Sequence, residues 1–448
     1  MTKIRLAIFA FLALSSALSL FWGFAVERAA RGIIVDFKVV YLGTRCLLEK
    51  HDPYDENQLL NFYIEQGGKR PSSAGELQKV RQVVALLVYF PTAFPYIAPF
   101  ASLPFSAAHA IWSGLTAVVC TLAAFLMWML AQNRAPNAAF YLACFMLANS
   151  GILYAGGNPA GLAIGLCLVA TWCFLEEKHV YIGMICFAVS LALKPHDTGF
   201  VWLYFLLAGD VLRKRALQTL ALTVLLGFPA ILWVSHFSPH WIGELSAHLS
   251  ATAVPGGITD PGPGAMRGTG GGMIIDLQTV VSVFRDDPRV YNPITYAICA
   301  ALLLIWIVIT MRSCSTQSNH YLALAAVAAF SMLPVYHRPH DAKLLLLTLP
   351  ACAMLLSQGG MIGRIALFLN STAIVLTSDL PLALLAQLSK GWHLSTEGLH
   401  AKLMTVLLGR PMPMILLALG TFYLWVYARQ SLRETIPVPP EADKCSSI

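Results

Sequence analysis

Four short polar segments stand out in this apolar chain because their residue types can move protons or bind anions. They are Asp36, Gly156–Pro159, Lys194–Asp197 and His337–Lys343. The last of these reads His-Arg-Pro-His-Asp-Ala-Lys and lies between two apolar runs. A charged side chain immersed at membrane depth costs roughly 2.5–3.5 kcal/mol. A dense group of ionisable residues in such a place therefore indicates a functional site.

One carboxylate together with several cations suits the transfer of a group from a phosphate donor. A leaving phosphate is stabilised by positive charge and needs no acid, so a single carboxylate suffices as the general base for an acceptor hydroxyl. The candidates for binding the donor phosphate are Lys194, His196, His337, Arg338 and His340. The other candidate site residues are Tyr41, Asn158, Asp197 and Asp341, and Asp341 could orient a histidine or bind a sugar hydroxyl.

Each segment also has a purely structural interpretation. Lys194 at a helix C-terminus would complement the helix dipole, an effect of about 0.3–1 kcal/mol. Asn158-Pro159 can simply end one helix and begin the next, and a basic residue at a helix end can extend into the membrane interface. The ten cysteines fall mostly within apolar runs, without metal-ligand spacing. We therefore expect no metal and no cofactor.

The elements that must position these residues are membrane-spanning helices. Hydrophobic residues make up 57% of the 448-residue chain and charged residues only 12%, about half the charge of an ordinary soluble protein. The apolar residues form runs of about 17–25, the length that crosses a bilayer as a helix. The net charge is +7, and the basic residues lie in short clusters between these runs. Such clusters are typical of cytoplasmic loops. We therefore expect membrane lipids as partners and no nucleic acid.

The sidedness of the chain depends on the stretch 84–104. It carries Pro91, Pro95, Pro99 and Pro104, about one proline per turn, and a lipid-exposed crossing helix would be costly there. We expect interfacial helices in its place. The basic clusters then alternate consistently, and all four polar segments fall on the non-cytoplasmic side. The apolar run after Lys3 and Arg5 is longer than a usual signal peptide and is interpreted as an uncleaved first span.

The sequence thus predicts an all-α polytopic bundle of about 12 spans in one catalytic domain, residues 1–435. The expected spans are 6–26, 107–131, 138–155, 159–175, 180–194, 198–212, 216–235, 293–311, 319–335, 341–357, 364–387 and 410–428. Both termini would be cytoplasmic, in the cell (inner) membrane. The large outer loops would be about 27–106 and 236–292, and Pro255–Gly272 in the second is either a mobile connector or a lid. A disordered tail would follow, 436–448.

The order of these features resembles family 87 of the polytopic glycosyltransferases, which have the GT-C type fold. The resemblance runs from about Val35 to Pro350. Its features are Asp36-Phe37, Tyr41, the HDPYD stretch, Tyr89–Leu103, Gly157-Asn158, Leu193-Lys194-Pro195 with Arg213–Arg215 behind it, and Pro334–Pro350. The resemblance implies a polyprenyl-phosphate-linked sugar donor, mannose-like, and implies that Asp36 is the catalytic base.

The leading hypothesis is therefore an inverting hexosyltransferase. It would move the sugar to a hydroxyl of a lipid or glycan acceptor outside the cytoplasm. A membrane transporter or lipid flippase is the alternative, because broken helices at Gly157–Pro159 and Pro195 would suit a substrate site. A non-catalytic assembly subunit is a third possibility.

Overall fold

A computed structural model describes residues 2–29, 36–81, 84, 86–263, 274–389 and 398–435. Within these ranges every regular element is a helix, as predicted. Five of the described helices are long and apolar enough to cross a membrane. The class of helical membrane protein is therefore confirmed, while the number of crossings stays a prediction.

The first part of the chain pairs two long helices with a layer of short ones. The elements are α1 (Lys3–Ala29), α2 (Asp36–Leu48), α3 (Glu56–Glu65), α4 (Ala74–Val80), a 3-10 turn (Pro91–Ala93), α5 (Phe94–Ala101) and α6 (Phe105–Ala131). The eight residues of α5 extend about 12 Å, whereas the hydrocarbon core is about 30 Å thick. This helix is too short to cross, in agreement with an interfacial segment.

The middle of the chain breaks its apolar runs more often than the sequence indicates. The helices are α7 (Pro136–Ala148), α8 (Gly151–Gly156), α9 (Pro159–Leu175), α10 (Val180–Leu193), α11 (Pro195–Leu207) and α12 (Asp210–Phe237). The predicted span 138–155 is thus two helices. The predicted span 198–212 is too long, because α11 ends at Leu207 and Gly209 adopts a φ of 93° before α12 begins.

The last part contains α13 (Trp241–Thr252), α14 (Gln278–Phe284), α15 (Pro288–Arg312), α16 (Gln317–Phe330), a 3-10 helix (Asp341–Leu347), α17 (Thr348–Ser357), α18 (Gly360–Leu376), α19 (Asp379–Ser389), α20 (Leu399–Met404), a π-turn (Thr405–Gly409) and α21 (Pro411–Thr435). The predicted spans 319–335 and 364–387 are therefore wrong in their bounds. The first ends at Phe330, and the second is divided between α18 and α19.

The helices are arranged around a buried centre. Nearly all of α9, α16 and α17 is buried, whereas α1, α12 and α15 keep large apolar side chains such as Trp22, Leu225 and Leu304 exposed. Exposed apolar faces on long helices are the faces that lipid covers. The polar segments lie at the ends of the central helices, so the buried centre holds them in position.

Close backbone contact joins α1 to the break between α7 and α8. A Cβ added to Gly23 would lie 2.2 Å from the Gly151 carbonyl oxygen, so only glycine allows this approach. The break frees backbone groups that distant side chains satisfy. The Ser150 amide donates to Ser19 Oγ (3.0 Å), the Ile152 amide donates to Asp379 Oδ2 (2.8 Å), and Lys343 Nζ donates to the Asn149 carbonyl (3.2 Å).

The two predicted outer loops pack on each other. Tyr54 contacts Trp241 and His248 of α13, and His248 Nδ1 lies 3.0 Å from the Leu87 carbonyl. Farther along, Arg410 donates to the carbonyls of Pro261 (2.6 Å) and Gly262 (2.7 Å). The described part of the Gly- and Pro-rich segment is therefore held in place. Residues 264–273 and the predicted tail 436–448 lie outside the described residues.

Candidate functional site

The Asp36 carboxylate lies at the start of α2 and is held by Asn158. Asn158 Nδ2 donates to Asp36 Oδ2 at 2.8 Å. The same side chain is the N-cap of α9, because its Oδ1 accepts a hydrogen bond from the Ala160 amide at 2.9 Å. A negative charge at the first residue of α2 also suits that helix's dipole. The start of α9 therefore positions Asp36, which stays partly exposed.

The backbone at Gly157 brings these two helix ends together. Gly157 has a φ of 62°, and a Cβ added there would lie 2.7 Å from the Phe37 Cβ. Its carbonyl accepts a hydrogen bond from Trp112 Nε1 at 2.9 Å, and the Trp112 ring stacks on Phe37 with centroids 5.1 Å apart. Glycine is the residue that permits both the left-handed conformation and the close approach. The residue next to Asp36 is thereby fixed as well.

A buried ion-pair network forms the other half of the site. Lys194 Nζ lies 2.8 Å from Asp341 Oδ1 and 3.1 Å from Asp197 Oδ2. Asp341 Oδ2 also accepts a hydrogen bond from the Arg338 amide at 2.7 Å. The side chains of Asp197 and Asp341 are 1% and 2% exposed. Because Lys194 is already paired with two carboxylates, it is less able to bind a donor phosphate.

Three histidines surround this network. His196 Nε2 and His337 Nε2 lie 3.2 and 3.3 Å from Asp197 Oδ1, and His340 Nε2 lies 3.5 Å from Asp341 Oδ1. Burial would lower the pKa of His337, but the neighbouring Asp197 carboxylate outweighs it and raises that pKa. Burial lowers the pKa of His340 despite Asp341. His337 is thus the histidine best able to carry a proton here.

Arg338 is the cation that connects the network to Asp36. Its guanidinium donates to the Tyr336 hydroxyl and to the Ile258 carbonyl (3.2 Å), and it lies over the Tyr336 ring. Burial would lower the Arg338 pKa, but the Tyr336 phenol and the Asp36 carboxylate outweigh that effect and raise it. Arg338 therefore lies within electrostatic reach of Asp36, and it also ties the second outer loop to the site.

Two tyrosines, Tyr41 and Tyr89, differ in their relation to the site. The Tyr41 hydroxyl donates to the Leu103 carbonyl (2.7 Å) and accepts from Arg45 Nη1 (2.9 Å), so this candidate holds the α5–α6 connection instead of facing the network. Burial raises the pKa of the Tyr89 phenol, and the charges of Asp36, Lys194 and Asp341 also act on that pKa. The protonated phenol is a hydrogen-bond donor that the sequence analysis did not single out, although Tyr89 begins the Tyr89–Leu103 segment of the family resemblance.

The charges of the assembled site nearly cancel. Asp36, Asp197 and Asp341 provide three carboxylates, whereas Lys194 and Arg338 provide two permanent cations. An added phosphate would make this excess negative charge larger. Such a site can remove a proton from a hydroxyl, and it needs a further positive charge to bind an anion.

Two clefts lie away from these four segments. One, of about 540 Å³, lies between α7 and α18 and is lined by Pro136, Tyr141 and Leu367 among others. The other, of about 320 Å³, is lined by Glu177, Asp210 and His320 among others. Both lie on the face predicted to be cytoplasmic, and neither contains a candidate site residue.

The structure thus brings together Asp36, Asn158, Lys194, His196, Asp197, Arg338, His337, His340 and Asp341 from segments far apart in sequence. No protein-family model, no curated protein and no solved structure matches this chain. The function must therefore be argued from this geometry.

Proposed function

We propose that this protein is an integral membrane hexosyltransferase that uses a polyprenyl-phosphate-linked sugar as its donor. The observation that carries the proposal is the Asp36 carboxylate, which is partly exposed and is held by Asn158 Nδ2 at 2.8 Å at the start of a buried helix. A positioned carboxylate base, with cations for the leaving phosphate, is what group transfer from a phosphate donor requires. The order of polar segments that resembles family 87 of the glycosyltransferases supports the same proposal.

In the proposed reaction, Asp36 takes the proton from an acceptor hydroxyl of a lipid or glycan. The hydroxyl oxygen attacks the anomeric carbon of the sugar, and the bond from that carbon to the phosphate oxygen breaks. The polyprenyl phosphate leaves with the electron pair and is stabilised by Arg338. One displacement of this kind inverts the anomeric centre. We place the reaction on the non-cytoplasmic face of the cell membrane, with both chain termini in the cytoplasm.

The roles of the cationic candidates differ in this proposal. The Arg338 guanidinium donates to the Tyr336 hydroxyl and the Ile258 carbonyl, and to no carboxylate among the described residues, so it is the first candidate for the donor phosphate. Lys194 is engaged by Asp341 and Asp197 and serves to position that network. The Tyr89 phenol is a further hydrogen-bond donor for a phosphate or sugar oxygen, since the charges of Asp36 and of Lys194 both act on it.

The test uses purified protein in lipid nanodiscs with polyprenyl-phosphate mannose, polyprenyl-phosphate glucose and a panel of lipid and glycan acceptors. We expect donor turnover by the wild type and a loss of at least 100-fold in the Asp36→Asn variant, because general-base catalysis contributes typically 10²–10⁴-fold. Asp210→Asn is the matched control, since Asp210 is an exposed carboxylate in the first turn of α12. Equal turnover by the Asp36 and Asp210 variants would refute the base assignment.

A transporter is a second candidate because two discontinuous helix pairs carry candidate site residues at their breaks, α8–α9 at Asn158 and α10–α11 at Lys194. Half-helix ends at a polar site are a feature of many transporters. The same nanodisc preparation, moved into sealed vesicles, separates the two functions. Movement of the polyprenyl-phosphate sugar across the vesicle membrane without cleavage of its sugar–phosphate bond would favour transport.

A further inference from the structure

We propose that His196, Asp197 and His337 bind a divalent transition metal ion. Their ligand atoms all lie within 4.8 Å of one another, and Asp197 Oδ1 is 3.2 Å from His196 Nε2 and 3.3 Å from His337 Nε2. Ligand atoms that lie about 2.0–2.2 Å from one ion are roughly 3.0–3.5 Å apart. Two histidines with one carboxylate are an established ligand set for such ions. This departs from the sequence, whose spacing indicates no metal site.

The hydrogen bond on the far side of His337 fixes which nitrogen can bind the ion. His337 Nδ1 lies 2.8 Å from the Val335 carbonyl. A carbonyl only accepts, so Nδ1 carries the proton and a neutral ring presents a lone pair on Nε2. Metal-binding histidines commonly make this contact to a carbonyl. The hydrogen bond to the Val335 carbonyl thus orients the His337 ring toward Asp197.

Among the described residues, these atoms lack ordinary hydrogen-bond partners. His337 Nε2 and Asp197 Oδ1 are buried without one, whereas Asp197 Oδ2 pairs with Lys194 Nζ at 3.1 Å. The side chains of His337 and Asp197 are both 1% exposed. Two atoms with lone pairs facing each other at 3.3 Å repel unless a cation lies between them. That cation is either a proton on His337 or the metal ion.

The charge around the three ligands favours the metal ion. Lys194 is paired with both Asp197 and Asp341. One lysine and two carboxylates have a net negative charge, which a divalent ion would reverse. Lys194 contacts Asp197 Oδ2, which leaves Oδ1 for the ion and fixes the carboxylate plane. The His196 side chain is 45% exposed, so the ion would be reached from outside. Three protein ligands leave coordination positions for water or a substrate oxygen.

A role for the ion in binding the donor phosphate rests on the proposed function, whereas the binding site itself does not. The site near Asp36 has more carboxylates than permanent cations. A divalent ion beside Arg338 would supply the positive charge that a phosphate needs. The metal site and the transferase activity can therefore fail independently.

The experiment titrates Mn²⁺ into chelator-treated protein in nanodiscs and measures bound ion by electron paramagnetic resonance. The affinity tag must contain no histidine. Mn²⁺ is the probe because thiols compete poorly for it, and Cys314 is exposed. We expect one bound ion per chain and at least tenfold weaker binding in His196→Gln and in His337→Gln. His240→Gln is the matched control, since His240 is an exposed histidine outside the network.

His196→Gln keeps the test valid if the buried His337 variant fails to fold, because His196 is partly exposed. Absence of Mn²⁺ binding by the wild type, or equal binding by the His196 and His240 variants, would overturn the metal site. Unchanged donor turnover after chelation would refute the role of the metal ion in binding the donor phosphate. Mn²⁺ binding at these residues without any sugar transfer would contradict the proposed function and leave the metal site intact.

Discussion

Asn158 holds Asp36 and starts α9 with the same side-chain amide. Its Nδ2 donates to Asp36 Oδ2 at 2.8 Å, and its Oδ1 accepts from the Ala160 amide at 2.9 Å. The direction of the Asp36 carboxylate is therefore coupled to the beginning of a buried helix. Two substitutions at residue 158 can separate these two tasks.

Asn158→Asp should reduce sugar transfer while keeping the N-cap. Aspartate is as good an N-cap as asparagine, but it replaces the donor that faces Asp36 with a like charge, whose repulsion turns the Asp36 carboxylate away and lowers stability. We expect kcat to fall by at least tenfold, together with a lower unfolding temperature. Asn158→Ala should lose the cap as well, at a cost of about 1 kcal/mol. Similar kcat values for wild type and Asn158→Asp would contradict a positioning role for Asn158.

Lys194→Met should destabilise the protein by roughly 3–5 kcal/mol, because it leaves two buried carboxylates without their shared cation. The double variant Lys194→Met/Asp341→Asn should recover part of that loss. Thermal unfolding of both proteins in the same detergent measures the difference. If Lys194 binds the donor phosphate instead, Lys194→Met will fold normally and lose donor affinity alone, which would refute the structural role.

Gly157→Ala should destabilise the protein by about 1–3 kcal/mol, because the residue has a left-handed backbone and its new Cβ would meet Phe37 at 2.7 Å. Gly156→Ala is the matched control. Gly156 lies in α8 with open space around its Cβ position, and alanine is favoured over glycine in a helix. Thermal unfolding should therefore separate two adjacent glycines, and equal effects would contradict the packing described at Phe37.

Arg410→Lys should loosen the second outer loop. The Arg410 side chain is 1% exposed, and it donates to the carbonyls of Pro261, Gly262 and Thr279, a fork that lysine cannot reproduce. We expect a lower unfolding temperature and faster proteolytic cleavage within residues 255–263. The exposed Arg364 gives the control substitution Arg364→Lys, and equal cleavage of both variants would contradict this anchoring role.

The helical membrane class could be predicted because apolar runs of sufficient length have few other stable structures. The meeting of Asp36, Asn158 and Lys194 also follows in outline, since each comes at the end of an apolar run on the same predicted side. The pairing within the site could not be predicted. Lys194 and Asp341 are 147 residues apart, and nothing local shows that this lysine is already neutralised.

The helix break at Asn149 was equally hidden from the sequence. It has no proline, and it is stabilised by Ser19, Asp379 and Lys343 from three other segments. Local propensity cannot reveal a break whose hydrogen-bond partners come from distant helices. The same reason applies to Tyr89, because the fold of the first outer segment decides which distant charges act on its phenol.

The Arg410 contacts also set an order of events during synthesis. Arg410 follows Pro261 by 149 positions, so the carbonyls that it binds enter the membrane-bound chain long before their donor does. The segment that Arg338 contacts at Ile258 is anchored only after Arg410, which directly precedes α21, has been synthesised. A chain that terminates before Arg410 thus leaves residues 255–263 without this anchor.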